Sequence, residues 1–460
     1  AFHTVTFASI DSDFAKQQLI LFTEDRYMHP NGAIPAYEWK FDDVNPPVHA
    51  WATWRVFKMD ESRHGTPDFE FLERVFHRLL MNFTWWVNRK DEGGRNIFEG
   101  GFLGLDNIGI FDRSSELPGG GTLEQADGTS WMAMFSLTMM RISIELATRN
   151  PVYQDMAVKF LEHFLEIAMA MTAMGGGEDG LWDENDEFYY DQLLLPDGRR
   201  IPMRIQSIVG LIPLFAVEVL EPETLEKLPQ FAEHLDRIFE KRPELYDLVS
   251  HWKEPGRGER RLFSLLRGHR MKCLFKRMLD EDGFFSSHGI RSLSKYHSDH
   301  PYAIEIEGTR YTIDYEPAES HTTLFGGNSN WRGPIWFPIN FLLIEAMQRF
   351  HHYYGDDFRI ECPVGTKEMI TISDASLMVA ERLASLFSKD ANGDRAFHGA
   401  DWPMAKDPHF NDLVNHFEFF DGDDGRGCGA SHQTGWTGLI AKMIERMHTD
   451  GTPSKNNITT

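Results

Sequence analysis

Apolar residues recur every three or four positions along most of this chain. The clearest of these stripes cover residues 69–86, 153–171 and 336–350. Such spacing puts apolar side chains on one face of an α-helix, so the sequence predicts a succession of amphipathic helices. Pro46 and Pro47 should delay the start of one helix until about His49, because proline lacks an amide hydrogen and restricts the residue before it.

Strand-like alternation of apolar and polar residues is clear in only two segments. Residues 304–315 turn at Gly308, and residues 188–203 turn at Pro196, Asp197 and Gly198. Each pattern predicts a β-hairpin attached to the helices.

The connections between helices alternate between short turns and long loops, and none resembles an interdomain linker. Paired helices with one elaborated set of loops favour an all-α, α/α barrel whose functional loops gather at one end. No repeat of fixed period is visible, which disfavours an open solenoid. We expect a catalytic barrel domain over residues 1–448 and a disordered polar tail over residues 449–460.

Charge and residue spacing exclude several classes of partner. A net charge of −24 would repel phosphates, so we expect no binding to nucleic acid or to an anionic membrane. The cysteines form no paired motif and the histidines lack an HExxH spacing, so we expect no disulfide framework, no metal and no organic cofactor. Because no apolar run approaches the about 18 residues of a membrane span and no signal peptide is evident, we expect a cytoplasmic protein.

Two glycine-rich loops each carry an acidic residue among aromatic and amide side chains. Asp106 lies in residues 100–114, and Glu418 lies between Phe417 and Phe419 in residues 416–436. Glycosidic bond cleavage needs one carboxylic acid to protonate the leaving oxygen and a second carboxylate on the opposite face of the sugar. Asp106 alone could equally cap a helix, whereas the apolar neighbours of Glu418 would raise its pKa if it were buried.

The other long loops are rich in tryptophan, tyrosine, acids and amides. Residues 34–54, 123–134, 181–191 and 328–340 share this composition. Aromatic planes pack against the C–H faces of sugar rings, and polar side chains bind the hydroxyl groups. Any single tryptophan could instead serve only the core, but several such loops together favour a saccharide pocket.

Five ordered blocks of this sequence resemble glycoside hydrolase family 63. They are IPAYEWKFDDVNPPVHAW, GFLGLDNIGIFDRS, LEQADGTSWMAM, NWRGPIWFPINFLL and SHQTGWTGLIAKMI. The family includes the processing α-glucosidase of N-glycan trimming, bacterial α-glucosidases and mannosylglycerate hydrolases, and the chain is most similar to microbial and fungal glucosidase-like members.

The resemblance implies an (α/α)6 barrel with long loops and small β-hairpins at its active-site end, and an inverting mechanism. It assigns Asp106 as the general acid and Glu418 as the general base. It places in the sugar pocket a set of aromatic, polar and glycine residues: Tyr37, Glu38, Trp39, Asn107, Trp331, Arg332, Gly333, Trp336, Gln433 and Trp436. The sequence starts where the family's first barrel helix would be ending, so we expect most of that helix to be missing and the barrel to be open beside Ala1.

These observations predict an inverting glycoside hydrolase whose partner is a small saccharide, an α-glucoside or a related α-glycoside. A mannosyl- or glucosylglycerate hydrolase is the alternative within the family. Two interpretations from other classes stay open: a sugar epimerase, which would convert one free sugar into another, and a non-catalytic sugar-binding fragment.

Overall fold

The computed structural model describes ten ranges of the chain: residues 1–37, 40–89, 96–98, 100–172, 180–243, 245, 254–266, 268–327, 329–432 and 435–449. Within them the protein is mainly helical. The α-helices are α1 (Phe2–Ala8), α2 (Ser12–Phe22), α3 (His49–His64), α4 (Phe69–Val87), α5 (Ala126–Ala147), α6 (Tyr153–Thr172), α7 (Pro222–Lys227), α8 (Pro229–Lys241), α9 (Gly268–Met278), α10 (Phe337–Tyr354), α11 (Ile372–Ser385) and α12 (Leu439–Thr449).

The three apolar stripes of the sequence coincide with α4, α6 and α10, which confirms those helix predictions. Helix α3 begins at His49, directly after the Pro46–Pro47 pair, as expected. Helix α4 starts at Phe69 because the Asp68 side chain accepts a hydrogen bond from the Phe71 amide, 3.0 Å away. The predicted tail lies outside the described residues except for Thr449, which closes α12.

The helices pack around one extensive apolar core. Helix α5 lies along α6, α10 contacts α11 and α12, and α1 contacts both α3 and α12. Helices from the two ends of the sequence therefore meet. None of the described helices is both long enough and apolar enough to cross a bilayer.

The strands form small antiparallel sheets between the helices. They are β1 (Pro35–Tyr37), β2 (Lys40–Val44), β3 (Thr122–Glu124), β4 (Trp182–Asp183), β5 (Phe188–Tyr189), β6 (Asp191–Leu194), β7 (Arg200–Met203), β8 (Val217–Leu220), β9 (Arg261–Ser264), β10 (Phe285–Ser286), β11 (Gly289–Ile290), β12 (Tyr302–Ile306), β13 (Thr309–Ile313), β14 (Arg359–Glu361), β15 (Met369–Thr371), β16 (Phe419–Phe420) and β17 (Gly427–Cys428).

Both predicted hairpins are present. Strands β6 and β7 pair with Leu194 opposite Arg200, and β12 and β13 pair with Ile306 opposite Thr309. The structure contains further strand pairs that the sequence did not predict: β1–β2, β4–β5, β8–β9, β10–β11, β14–β15 and β16–β17 also pair, and β3 joins β6. These strands are two to five residues long, too short to show a clear two-residue period.

Candidate active site

Asp106 lies on the long loop between α4 and β3, and side chains on both sides fix that loop. The Gln125 carboxamide oxygen accepts hydrogen bonds from the Gly100 and Gly101 amides, at 2.6 and 2.7 Å. Arg113 forms an ion pair of 2.8 Å with Asp127 at the start of α5, and both side chains are buried. The loop is therefore held against the N-terminus of α5, which restricts where Asp106 can point.

Glu418 lies directly before β16 and is fixed through its backbone. Its amide donates to the Ala430 carbonyl at 3.0 Å, and the Trp436 indole donates to the Glu418 carbonyl at 3.0 Å. At Gly429, which has a positive φ of 68°, a β-carbon would lie 2.7 Å from Glu418 Oε2. Only glycine allows the chain to pass so close to this carboxylate.

Residues 329–336, which we call the bridging segment, contact both acidic loops. At its start the Ser329 hydroxyl donates to Asp106 Oδ2, and the Trp331 amide donates to Asn107 Oδ1 at 2.6 Å. Near its end Ile335 and Phe420 exchange two backbone hydrogen bonds, of 2.8 and 3.1 Å. The bridging segment thus brings the Asp106 loop and the Glu418 strand to one part of the molecule.

An aromatic stack continues this connection to the strand that follows Glu418. The rings of Trp331 and Trp336 are parallel at a centroid distance of 4.0 Å, and Trp336 stacks on Phe419 at 4.7 Å. Trp436, which is only partly buried, lies 6.0 Å from Trp336. Trp331 and Trp336 are buried in the protein, so Trp436 offers the more accessible ring.

Asn107 and Arg332 are buried, and their polar atoms form hydrogen bonds and an ion pair with other protein atoms. Asn107 Nδ2 donates to Asn330 Oδ1 at 3.0 Å, while its Oδ1 accepts from the Trp331 amide. Arg332 donates to the Asn107 carbonyl at 2.8 Å and forms an ion pair of 3.4 Å with the buried Glu316. In this structure both residues position the loops rather than face an open pocket.

The carboxyl groups of Asp106 and Glu418 are close enough to interact electrostatically. Burial raises the pKa of Asp106, while the hydrogen bond from Ser329 opposes that shift. Burial likewise raises the pKa of Glu418; the Ala430 amide opposes this change, and the charge of Asp106 adds to it. Two neighbouring acids with raised pKa values are typical of a catalytic pair.

Tyr37 lies near the carboxyl group of Asp106. Tyr37 is 47% exposed, and its ring lies 5.6 Å from that of Phe102 on the Asp106 loop. Burial of part of the ring and the nearby charge of Asp106 raise the pKa of the Tyr37 hydroxyl to about 12. The phenol therefore stays protonated at neutral pH and is able to donate a hydrogen bond to a ligand that reaches this exposed residue.

The sequence-predicted residues divide into three groups by position. Asp106 and Glu418 form the carboxyl pair, and Tyr37 and Trp436 lie beside it. A second group is buried in the protein: Asn107, Trp331, Arg332 and Trp336. Gly333 belongs with the second group: its φ is +151°, and a β-carbon there would come within 2.7 Å of the Tyr315 ring. The predicted residues Glu38, Trp39 and Gln433 lie outside the described part of the chain.

Sequence reasoning missed two residues of this site. Ser329 donates to Asp106, and Glu316 pairs with Arg332 and accepts a hydrogen bond from the His321 amide at 2.7 Å. Ser329 stands directly before the NWRGPIW block, which was its one available signal. Glu316 lies three residues after the end of β13, and no sequence pattern marked it.

Replacing Asn107 with Ala should destabilise the protein by about 3 kcal/mol, because it leaves the buried Trp331 amide and the Asn330 side chain without this partner. Activity should fall together with the fraction of folded protein. Chemical denaturation and KM measured on the same samples test this prediction. An unchanged unfolding midpoint with a raised KM would instead indicate that Asn107 binds substrate directly.

The chain is similar in sequence to known proteins. Residues 1–103 match the model of the mannosylglycerate hydrolase MGH1-like glycoside hydrolase domain. The chain is 52% identical over 458 residues to the uncharacterized protein YMR196W of Saccharomyces cerevisiae, a match that covers 96% of this chain and 42% of that protein. It is 24% identical over 172 residues to the mannosyl-oligosaccharide glucosidase of the same yeast, covering 37% of this chain and 14% of the glucosidase. The chain thus spans less than half the length of the curated relatives it matches.

Solved structures share the fold. The GH63 mannosylglycerate hydrolase of Thermus thermophilus in complex with glucose superposes with a TM-score of 0.51 at 14% identity, covering 97% of this chain and 91% of that one. The same enzyme in complex with Tris and D-glycerate gives a TM-score of 0.52 at 14% identity, covering 97% and 92%. The family model, the glucosidase match and this common fold all support the resemblance of the chain to glycoside hydrolase family 63.

Proposed function

We propose that this protein is an inverting glycoside hydrolase that acts on α-glucosides or related α-glycosides. The observation that carries the proposal is the pair of partly buried carboxyl groups, Asp106 and Glu418, whose pKa values are both raised at the meeting point of two loops. The resemblance to family 63 supports the same activity.

In the proposed reaction Asp106 donates its proton to the glycosidic oxygen as the bond to the anomeric carbon breaks. Glu418 removes a proton from a water molecule that attacks the anomeric carbon from the opposite face. The water oxygen replaces the leaving group, and the configuration at the anomeric carbon inverts. One proton enters from Asp106 and one leaves to Glu418, so the pair keeps its total proton count and exchanges its protonation states.

The proposed scaffold for this chemistry is an (α/α)6 barrel formed by residues 1–448. Contacts between α1 and α12 support it, since a barrel requires helices from distant parts of the chain to meet. The active-site face would then be the one that carries the Asp106 loop and the Glu418 strand. Tyr37 and Trp436 would contact the sugar, while Asn107, Arg332 and Gly333 would hold the loops.

A panel of α-linked glucosides and mannosides, assayed for released sugar, tests the proposed reaction. We expect release of a free monosaccharide from at least one α-linked substrate and none from the matching β-anomers. Conversion of one free sugar into another without hydrolysis would instead indicate an epimerase. Saturable sugar binding with no turnover of any member would mean that this chain is a binding module.

Mannosylglycerate and glucosylglycerate are the second class of substrate to test. The match to an MGH1-like domain and the common fold with an enzyme solved with D-glycerate favour them. If they are the substrates, kcat/KM for the glycerate-linked sugar should exceed that for a methyl glycoside of the same sugar, because the carboxylate supplies additional binding energy. Equal values would favour the α-glucosides.

The proposed pair should give a bell-shaped dependence of kcat/KM on pH. The active form holds one proton on the pair, so activity falls at low pH when both groups are protonated and at high pH when both are ionised. Because the pKa of each group is raised, both limbs should lie above the range of an exposed carboxyl.

The Asp106→Asn variant provides the control for this profile. With an α-glycosyl fluoride, which needs no acid, the variant requires only an ionised Glu418, so its high-pH limb should disappear. A basic limb that persists in the variant would assign the general acid to another residue.

A further inference from the structure

Three metal-binding side chains of different chemistry converge away from the carboxyl pair. Glu187 ends the turn between β4 and β5, and His269 and Cys273 lie one turn apart on α9. One potential ligand atom from each residue lies within 4.8 Å of the other two. The thiol is buried and the imidazole is 72% exposed, so a metal at this point would be accessible from solvent on one side.

The separations match the edges of a zinc coordination tetrahedron. With Zn–S and Zn–N bonds of ordinary length, a tetrahedral ion holds its sulfur and nitrogen ligands about 3.6 Å apart and its nitrogen and oxygen ligands about 3.3 Å apart. Cys273 Sγ lies 3.6 Å from His269 Nε2, and the same nitrogen lies 3.5 Å from Glu187 Oε1. Two edges of the tetrahedron are therefore already formed by protein atoms.

The turn that carries Glu187 is fixed to α9 on both sides of the cluster. Arg270 forms an ion pair of 3.1 Å with Glu184 and stacks over the Trp182 ring. Arg277, two turns further along α9, donates to the Asp186 carbonyl. Glu187 itself has a positive φ of 51°, a conformation that non-glycine residues adopt rarely and that directs its side chain toward α9 in this structure.

We propose that Glu187, His269 and Cys273 form a zinc site, with a water molecule as the fourth ligand. A thiolate and an imidazole select zinc over calcium or magnesium, and one carboxylate completes a set of three protein ligands. The thiolate and the carboxylate together neutralise the charge of a divalent ion. Bound zinc would join the β4–β5 turn to α9, and this inference does not depend on the proposed hydrolase activity.

The test is zinc binding to the purified, untagged protein, measured by elemental analysis and by competition with a chromogenic chelator. We expect about one tightly bound zinc ion per chain. Cys273→Ser and His269→Asn should each weaken binding by more than about 100-fold, since removing a ligand should exceed the effect of losing a group that only supports a ligand. The first change is nearly isosteric and the second is at an exposed residue, and circular dichroism checks that the variants fold.

Matched controls are Cys362→Ser, another buried cysteine, and His300→Asn, another exposed histidine; both should keep full zinc affinity. Cobalt in place of zinc should give a thiolate charge-transfer band that Cys273→Ser lacks. Zinc should raise the melting temperature of the wild type and not of the variants. Equal zinc affinity in wild type and in Cys273→Ser would overturn the site, as would calcium binding as strongly as zinc.

Discussion

Replacing Asp106 with Asn should lower kcat for α-glycosides with alkoxide leaving groups by about 10²- to 10⁴-fold, the usual contribution of a general acid. The amide has the shape of the carboxylic acid and retains an oxygen that accepts the Ser329 hydrogen bond, but it has no acidic proton for the leaving oxygen. The initial rate of sugar release from an alkyl or disaccharide substrate measures the loss.

A substrate that leaves without protonation separates this role from a general structural defect. Fluoride departs as an anion, so hydrolysis of an α-glycosyl fluoride by Asp106→Asn should stay within about tenfold of wild type. Asp112→Asn is the matched control: Asp112 lies on the same loop and caps the Ser114 amide at 2.8 Å, and its loss should affect neither substrate strongly. Equal losses on both substrates would exclude Asp106 as the acid.

The same variant should not be less stable than the wild type. A carboxyl whose pKa is raised in the folded protein binds its proton more tightly there than in the unfolded chain. Its contribution to stability is therefore largest at low pH and declines as pH rises through the folded pKa. At neutral pH the partly buried carboxylate of Asp106 destabilises the folded protein, and an uncharged amide does not. The melting temperature of Asp106→Asn should therefore equal or exceed that of wild type.

The helices were predictable because each is long enough to repeat its pattern. Helix α4 spans Phe69–Val87 and α10 spans Phe337–Tyr354, and in both the core face returns every three or four residues. The pairing of β8 with β9 could not be predicted, because Val217–Leu220 finds its partner at Arg261–Ser264, far along the chain. Each strand has four residues, and only the fold brings the two together.

Within the candidate site, the sequence indicates which loops carry acidic, aromatic and amide residues but not the role of each side chain. Asn107 and Arg332 were expected to line the pocket, yet their polar atoms bond to the Asn330 side chain and to the loop backbone. The same residue types serve for sugar contact and for loop support, so composition does not separate the two. Ser329 was missed for the converse reason, since a lone serine beside a tryptophan block has no pattern of its own.

The zinc proposal shows the same limit. His269 and Cys273 have a spacing that places both on one face of a helix, and this much is visible in the sequence. Glu187 belongs to a turn far earlier in the chain, and its approach depends on Arg270 and Arg277 holding that turn against α9. The three proposed zinc ligands therefore come together through the topology of the fold, which a local sequence pattern does not reveal.

Replacing Glu418 with Gln should reduce kcat by about 10²- to 10⁴-fold on every substrate, the α-glycosyl fluoride included, because the attacking water still needs a base when the leaving group does not need an acid. Azide, which attacks without losing a proton, should restore turnover of the fluoride in this variant and give a glycosyl azide of β configuration. Asp424→Asn, which changes an exposed carboxylate of the same loop, is the control and should keep normal rates.

Proton NMR of the first sugar formed by the wild type should show the β anomer from an α-glycoside. A first-formed α anomer would require a covalent intermediate and would make the second carboxylate a nucleophile rather than a base.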